Sequence, residues 1–180
     1  MLNEQLHEEL KFLQTNRAFL GREFLTWLWF KSETQNHKLT IGKYGTFHLY
    51  IDDKIVLSSA SGSVRENSLK GGTPAYAFEA GSALGTGKLV NEAKFILQDS
   101  ERQWTFSLLG DDLSLRTVRL PTISEADSHA HISQRIVYSQ LLSNLVDELF
   151  KTFMELRISD NFHNELVKIR EWIDNKVTIA

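Results

Sequence analysis

The chain has 180 residues, 42% of them hydrophobic and 24% charged, the composition of an ordinary globular domain with enough apolar surface to bury a core. Its formal charge of −3, from 20 basic and 23 acidic residues, lacks the basic excess of a general polyanion binder. It has no cysteine, which excludes disulfides, thiolate metal sites and cysteine nucleophiles and points to a reducing, cytoplasmic setting.

The first residues, Met1 to Lys11, are polar and amphipathic and show no charged-then-apolar leader pattern, so no targeting segment is expected. Leu2, Leu6, Leu10 and Leu13 recur at helical spacing and predict an amphipathic helix over about the first fifteen residues. Gly21 marks a break before Arg22-Glu23 and the run Phe24-Leu25-Thr26-Trp27-Leu28-Trp29-Phe30. Read as a helix to about Thr34, that run is apolar around most of its circumference, which predicts burial on several sides rather than a docking surface.

After a loop at Gln35–Lys38 the period changes. Leu39 and Ile41, then Phe47, Leu49 and Ile51, alternate with polar residues as half-buried strands do. Asp52-Asp53-Lys54 reads as a turn into Ile55-Val56-Leu57, and Val64 to Leu69 as a further strand closed by Gly71-Gly72-Thr73-Pro74. Phe78 to Leu84 predicts a short helix ending near Gly85 or Gly87. Leu89–Leu97 and Gln103–Leu108 form a strand pair about a turn at Gln98–Glu101. Gly110-Asp111-Asp112 leads into Leu113–Leu120, which Pro121 ends. Helical spacing returns with Ile132, Ile136, Leu142, Leu145, Leu149, Phe153 and Leu156, and again with Phe162, Leu166, Ile169 and Trp172 after a cap at Ser159 or Asp160. The expectation is one α+β domain over residues 1–180. A helical segment (1–35) and a long C-terminal helix pair (124–175) flank an antiparallel meander (38–121).

Charge follows this division. Residues 1–37 carry four basic and five acidic groups, 38–119 ten and nine, and 125–180 six and nine, so only the strand region is slightly positive. There Lys38, Lys43, Lys54, Arg65, Lys70, Lys88, Lys94, Arg102, Arg116 and Arg119 fall on strands or turns, where a shared face would grip phosphates without reading bases.

Other motifs carry less chemistry. Gly81-Ser82-Ala83-Leu84-Gly85-Thr86-Gly87-Lys88 has five residues between Gly81 and Gly87 and a leucine after the lysine, where a phosphate-binding loop needs four and a hydroxyl residue. A glycine-rich helix end explains it. His129 and His131 form an H-x-H at a helix start, and His7-Glu8-Glu9 lacks a second histidine, so no metal site is assembled. Asp52-Asp53 and Asp111-Asp112 have the composition of turns. No nucleophile, acid and base can be placed together. The expectation is no enzyme, no cofactor and no metal.

The strand region also resembles a known family. Val64-Arg65-Glu66-Asn67-Ser68-Leu69 is followed by Glu79-Ala80-Gly81 and Gly87-Lys88. The strand pair, the segment Asp112-Leu113-Ser114-Leu115-Arg116-Thr117-Val118-Arg119-Leu120 and a leucine-rich long helix come after. This order is similar to the C-terminal part of the recombination-associated protein RdgC family, whose N-terminal half has no counterpart in these 180 residues. The aromatic segment Gly21–Phe30 looks like what divergent members carry ahead of this region. The resemblance implies a non-enzymatic homodimer, cytoplasmic and nucleoid-associated, that binds duplex DNA with little sequence preference and restrains a recombinase. The family's DNA-touching cluster corresponds to Arg65, Glu66 and Asn67, with Glu66 standing where the family carries a basic residue, and this together with the basic residues of the strand region leads to expected phosphate contacts at Arg65, Asn67, Lys70, Lys88 and Arg116. The alternative is a protein-interaction or assembly module with no nucleic-acid role, supported by the acidic C-terminal helices and the aromatic helix. Lysines and arginines pointing to opposite faces of the sheet and paired with acids would favour that alternative.

Overall fold

Residues that alternate in the sequence build one antiparallel sheet. A computed structural model describes residues 20–59, 66–124 and 127–178; the amphipathic helix expected over the first fifteen residues lies outside them. The strands are β1 (Lys38–Thr40), β2 (Thr46–Ser58), β3 (Glu66–Lys70), β4 (Leu89–Gln98), β5 (Gln103–Leu109) and β6 (Leu115–Arg119). The helices are α1 (residues 20–34), α2 (Phe78–Gly85), α3 (Ser128–Arg157) and α4 (Phe162–Thr178). An N-terminal helix and a C-terminal helix pair therefore flank the sheet in an α+β fold.

The spatial order is β1-β2-β4-β5-β6, with β3 also paired to β2. His48 pairs with both Lys38 and Gln98, and Ile55 with both Leu69 and Ala93. So β1 and β3 share one edge of β2, end to end, and β4 takes the other. Between β3 and β4 the chain crosses over through a short 3-10 turn (Pro74–Tyr76) and α2, which a simple meander does not do.

Asp52-Asp53-Lys54 does not reverse the chain as its composition suggests. β2 runs through it, and three residues bulge opposite Lys94 alone, because Ile51 pairs with Phe95 and Ile55 with Ala93. Residue types that suit a turn suit a bulge equally well. The two carboxylates fold back onto Lys94, whose Nζ lies 2.9 Å from Asp52 Oδ2 and 2.9 Å from Asp53 Oδ1.

The aromatic run is α1, and it is buried all round. Phe24, Leu25, Trp27, Leu28, Trp29 and Phe30 are each at most 4% exposed. On one side α1 meets the sheet, where Val90 N–H donates to Thr26 Oγ1 at 3.0 Å and Ser32 Oγ donates to the Leu49 carbonyl at 2.5 Å. On the other it meets the C-terminal pair. Phe24 packs against Phe150 and Phe153, Trp27 against Phe153, and Trp29 and Phe30 edge-on against Trp172. The helix is thus a middle layer between the sheet and the α3–α4 pair. Its two leading charges tie it sideways: Arg22 Nη2 reaches Asp111 at 2.7 Å, and Glu23 accepts from Arg157 Nε at 3.1 Å.

Gly21 does not break this helix. It lies within α1 where the helix crosses the β5–β6 turn, and a Cβ there would overlap the Gly110 carbonyl oxygen. Gly110 in turn holds the backbone and side chain of Arg22 against the space its own Cβ would fill. The glycine serves a close backbone approach, so Gly21→Ala is expected to cost about 1–3 kcal/mol. A denaturant midpoint unchanged by the substitution would show that helix and turn do not meet this closely.

α3 starts at Asp127, whose side chain accepts from Ala130 N–H at 2.9 Å. Its C-terminal half buries Leu142, Leu145, Val146, Leu149 and Phe153, while its first two turns leave the core. All four tryptophan N–H groups have acceptors: Trp27 on Glu165, Trp29 and Trp172 on Glu33, and Trp104 on the Tyr138 carbonyl. No helix among the described residues is long and apolar enough to cross a membrane.

Candidate nucleic-acid interface

Strand pairing sorts the candidate DNA contacts by face, because directly opposed residues of an antiparallel pair point the same way. Leu57, buried on the side of the helices, opposes Asn67. Asn67 therefore turns to that side, where its Oδ1 accepts from the ammonium of Lys88, itself buried just before β4. Lys70 opposes Lys54, and Arg116 opposes Ser107, both on the other, polar face. Arg65 lies outside the described residues. The structure thus divides the set: Lys70 and Arg116 share the polar face, and Asn67 and Lys88 bond to each other behind it.

A third cation reaches the polar face through a bulge. Arg116 and Arg119 are three residues apart, a spacing that puts side chains on opposite faces of a regular strand. Here Arg116 opposes Ser107 and Arg119 opposes Thr105, two residues apart on β5 and hence on one face. The extra residue is absorbed around Thr117, whose φ of 49° is a strained, left-handed value for a β-branched side chain. Its Oγ1 lies 3.1 Å from Ser107 Oγ, which fixes the bulge. Arg119 is visible in the sequence as one more strand cation, but nothing in the alternation places it beside Arg116. The same bulge, with its two arginines, blunts the exposed edge of the sheet.

These groups surround a shallow cleft of about 350 Å³ lined by Lys54, Lys70, Lys94 and Arg119, with Asp53, Glu92, Ser107 and Thr117 between them. Two of the four cations are already engaged: Lys54 pairs with Glu92 at 2.6 Å and Lys94 with the Asp52–Asp53 clamp. The hydrogen bonds that the Lys94 ammonium donates to Asp52 and Asp53 raise it above its ordinary pKa, and the one it donates to Asp53 lowers that carboxyl. Lys94 and Asp53 therefore stay charged at neutral pH. Among the described residues, Lys70, Arg116 and Arg119 have no acid within ion-pair distance. Farther along the same face Tyr50 stacks on His37, ring centroids 4.4 Å apart, and on His48 at 6.3 Å.

Other candidate chemistry resolves into structure. Gly81 lies inside α2 against α4, where a Cβ would meet the Lys176 carbonyl at 3.0 Å, so the glycine cluster packs two helices. A second cleft, of about 480 Å³, lies between Tyr76, Phe78, Trp172 and Asn175, with Glu33 and Lys176 in its wall. Glu33 and Lys176 pair with each other there at 2.8 Å. Burial, and after it the nearby charge of Glu33, raises the Tyr76 hydroxyl above its ordinary pKa, away from acid–base work near neutral pH. Among the described residues no three His, Asp or Glu side chains gather as metal ligands. No family model matches this chain, and no curated protein matches it in sequence.

Proposed function

We propose that this chain is a non-enzymatic protein that grips the phosphate backbone of duplex DNA, with little sequence preference, through the polar face of its sheet. The observation that carries this reading is the trio Lys70, Arg116 and Arg119, three cations outside any ion pair on one polar face, with Lys70 and Arg119 lining its cleft. Contacts of this kind position a duplex without reading its bases. The tryptophans take no part, since all four are buried in the core. Arg65, immediately before β3, belongs to the proposed set by its place in the chain, while Asn67 and Lys88 support the sheet edge from behind. A role in recombination, in the manner of RdgC, and a place on the cytoplasmic nucleoid belong to this reading and rest on the segment order.

Fluorescence anisotropy with random duplex DNA tests it. Four phosphate contacts, Arg65 with the trio, predict that log K falls with log salt at a slope of about −3.6. Arg116→Ala or Arg119→Ala should each flatten that slope by about one unit and weaken all sequences alike. Absence of binding at about 50 mM salt, where such contacts are strongest, would sink the reading.

A second reading, an assembly module without a nucleic-acid role, is favoured by one observation. Lys54 and Lys94 are neutralised by acids and Lys88 is turned to the helix side, which leaves the polar face only modestly positive. Failure to bind DNA together with retained self-association would select it.

A further inference from the structure

The polar cleft holds more positive charge than its own acids cancel. Lys54 is paired with Glu92, and Lys94 with Asp52 and Asp53. That leaves Lys70 and Arg119, which line the cleft from β3 and β6, strands at the two edges of the sheet. The Asp53 carboxyl, lowered chiefly by its Lys94 hydrogen bond, is lowered further by the charge of Arg119, so the arginine stands close over the β2 bulge. Lys70 lies directly opposite Lys54 on the paired strand. Like charges so opposed repel, and an anion between them reverses the sign of that interaction.

The wall between the two cations is built of hydroxyls. Ser107 Oγ and Thr117 Oγ1 lie 3.1 Å apart, so one donates to the other and one hydrogen of the pair is left to donate outward. Thr117 holds its left-handed φ of 49° at this wall, and strain of that kind gathers at ligand sites. At the rim Gly71 turns with a φ of 84°, and a Cβ there would meet nothing, so no side chain closes the cleft on that side.

We propose that this cleft is a binding site for a phosphomonoester, held between Lys70 and Arg119 against the Thr117–Ser107 hydroxyl pair. A phosphomonoester carries about −1.5 to −2 charges at neutral pH, which matches the two uncompensated cations, whereas a phosphodiester carries one. The guanidinium fork of Arg119 suits two phosphate oxygens, and Lys70 meets the group as a point charge. Negative charge beyond that one group would face Asp53 and Glu92 in the same wall. A cleft of about 350 Å³ lies at the lower end of small-molecule sites, roughly 300–1,000 Å³, and admits a phosphate with its sugar but no turn of duplex. The site goes beyond the duplex reading, with which it shares two cations but on which it does not depend. A strand end and a free nucleotide both present this group.

Calorimetric titration with adenosine monophosphate, its cyclic diester and adenosine holds the base constant and varies only the phosphate. The monoester should bind about ten-fold or more tightly than the cyclic diester, and adenosine should not bind. Lys70→Ala and Arg119→Ala should each weaken the monoester by about ten-fold. Arg116→Ala, whose side chain lies outside the lining, should leave it unchanged. All three side chains are exposed, so the variants should melt with the wild type. Duplexes with and without terminal phosphates assign the source: tighter binding of phosphorylated ends, lost in Lys70→Ala, identifies a strand end, and equal binding identifies a free nucleotide. No binding of the monoester at millimolar concentration, equal affinity for the cyclic diester, or binding that survives both Lys70→Ala and Arg119→Ala would overturn the proposal. A failure to bind duplex DNA alone would leave it standing.

Discussion

Trp27→Ala is expected to lower the stability of this protein by about 3–5 kcal/mol, the range of large aromatic truncations in cores. Trp27 is 4% exposed and sits where α1 meets both C-terminal helices. Its ring lies 5.5 Å from Phe153 of α3, and its Nε1 donates to Glu165 of α4 at 3.1 Å. Truncation therefore opens a cavity in the middle layer, which cannot collapse against a sheet on one side and two helices on the other. It also strips a donor from Glu165, itself only 6% exposed, leaving Lys31 at 2.6 Å as its ion partner. For a domain of this size the melting temperature should fall by roughly 10 °C or more. Trp27→Phe keeps an aromatic ring in the layer but loses the N–H and part of the ring volume, so it should fall between wild type and alanine. An unchanged melting temperature in the alanine variant would mean that α1 does not occupy the middle layer.

That middle layer was legible in the sequence because it depends on composition. Six apolar residues in a seven-residue helical stretch have no polar side to offer water, so the only stable position is between two other layers. The strands and the two C-terminal helices were legible for the same kind of reason, the change of period from two to 3.6 and back. What the sequence concealed were features fixed by partners distant in the chain. Gly21 looked like a helix break because a glycine that relieves a backbone approach, here to Gly110, has the same local signature as one that ends a helix. Asp52-Asp53-Lys54 looked like a turn because turns and bulges draw on the same residues, and only the pairing with Lys94 distinguishes them. The candidate site suffered most. Lys70 and Arg116 fall on the polar face as strand residues selected for charge. The partnership of Asn67 with Lys88 joins two segments twenty-one residues apart, and no local pattern announces it. The alignment of Arg119 with Arg116 depends on one strained residue, Thr117, that breaks the alternation on which a sequence reading rests.

Glu33→Ala should be the other severe substitution, and for an electrostatic reason rather than a packing one. The Glu33 carboxylate accepts from Trp29 Nε1 at 2.6 Å, Trp172 Nε1 at 2.9 Å and Lys176 Nζ at 2.9 Å. It thereby fastens the end of α4 to the end of α1. The Lys176 ammonium also donates to the Ala75 carbonyl at 2.9 Å and lies 4.8–5.5 Å from the rings of Trp29, Trp172 and Tyr76. The two side chains are only 14% and 13% exposed, so water screens the pair weakly. Removing the acid leaves an ammonium and two indole N–H groups without their shared acceptor, a loss of about 3–5 kcal/mol for a broken buried pair. The aromatic rings offset part of that, which places the expectation nearer 3 than 5 kcal/mol. Glu33→Gln keeps an acceptor and loses the charge, so it should cost less than alanine. Lys176→Met made in the Glu33→Gln background should then recover stability, because a thioether among three rings replaces a cation that no longer has an anion. Urea titrations of the two single variants and the double variant measure the coupling directly. Strict additivity of the two single losses would show that the carboxylate and the ammonium do not act as a pair, and that α4 is held to α1 by its aromatic packing alone.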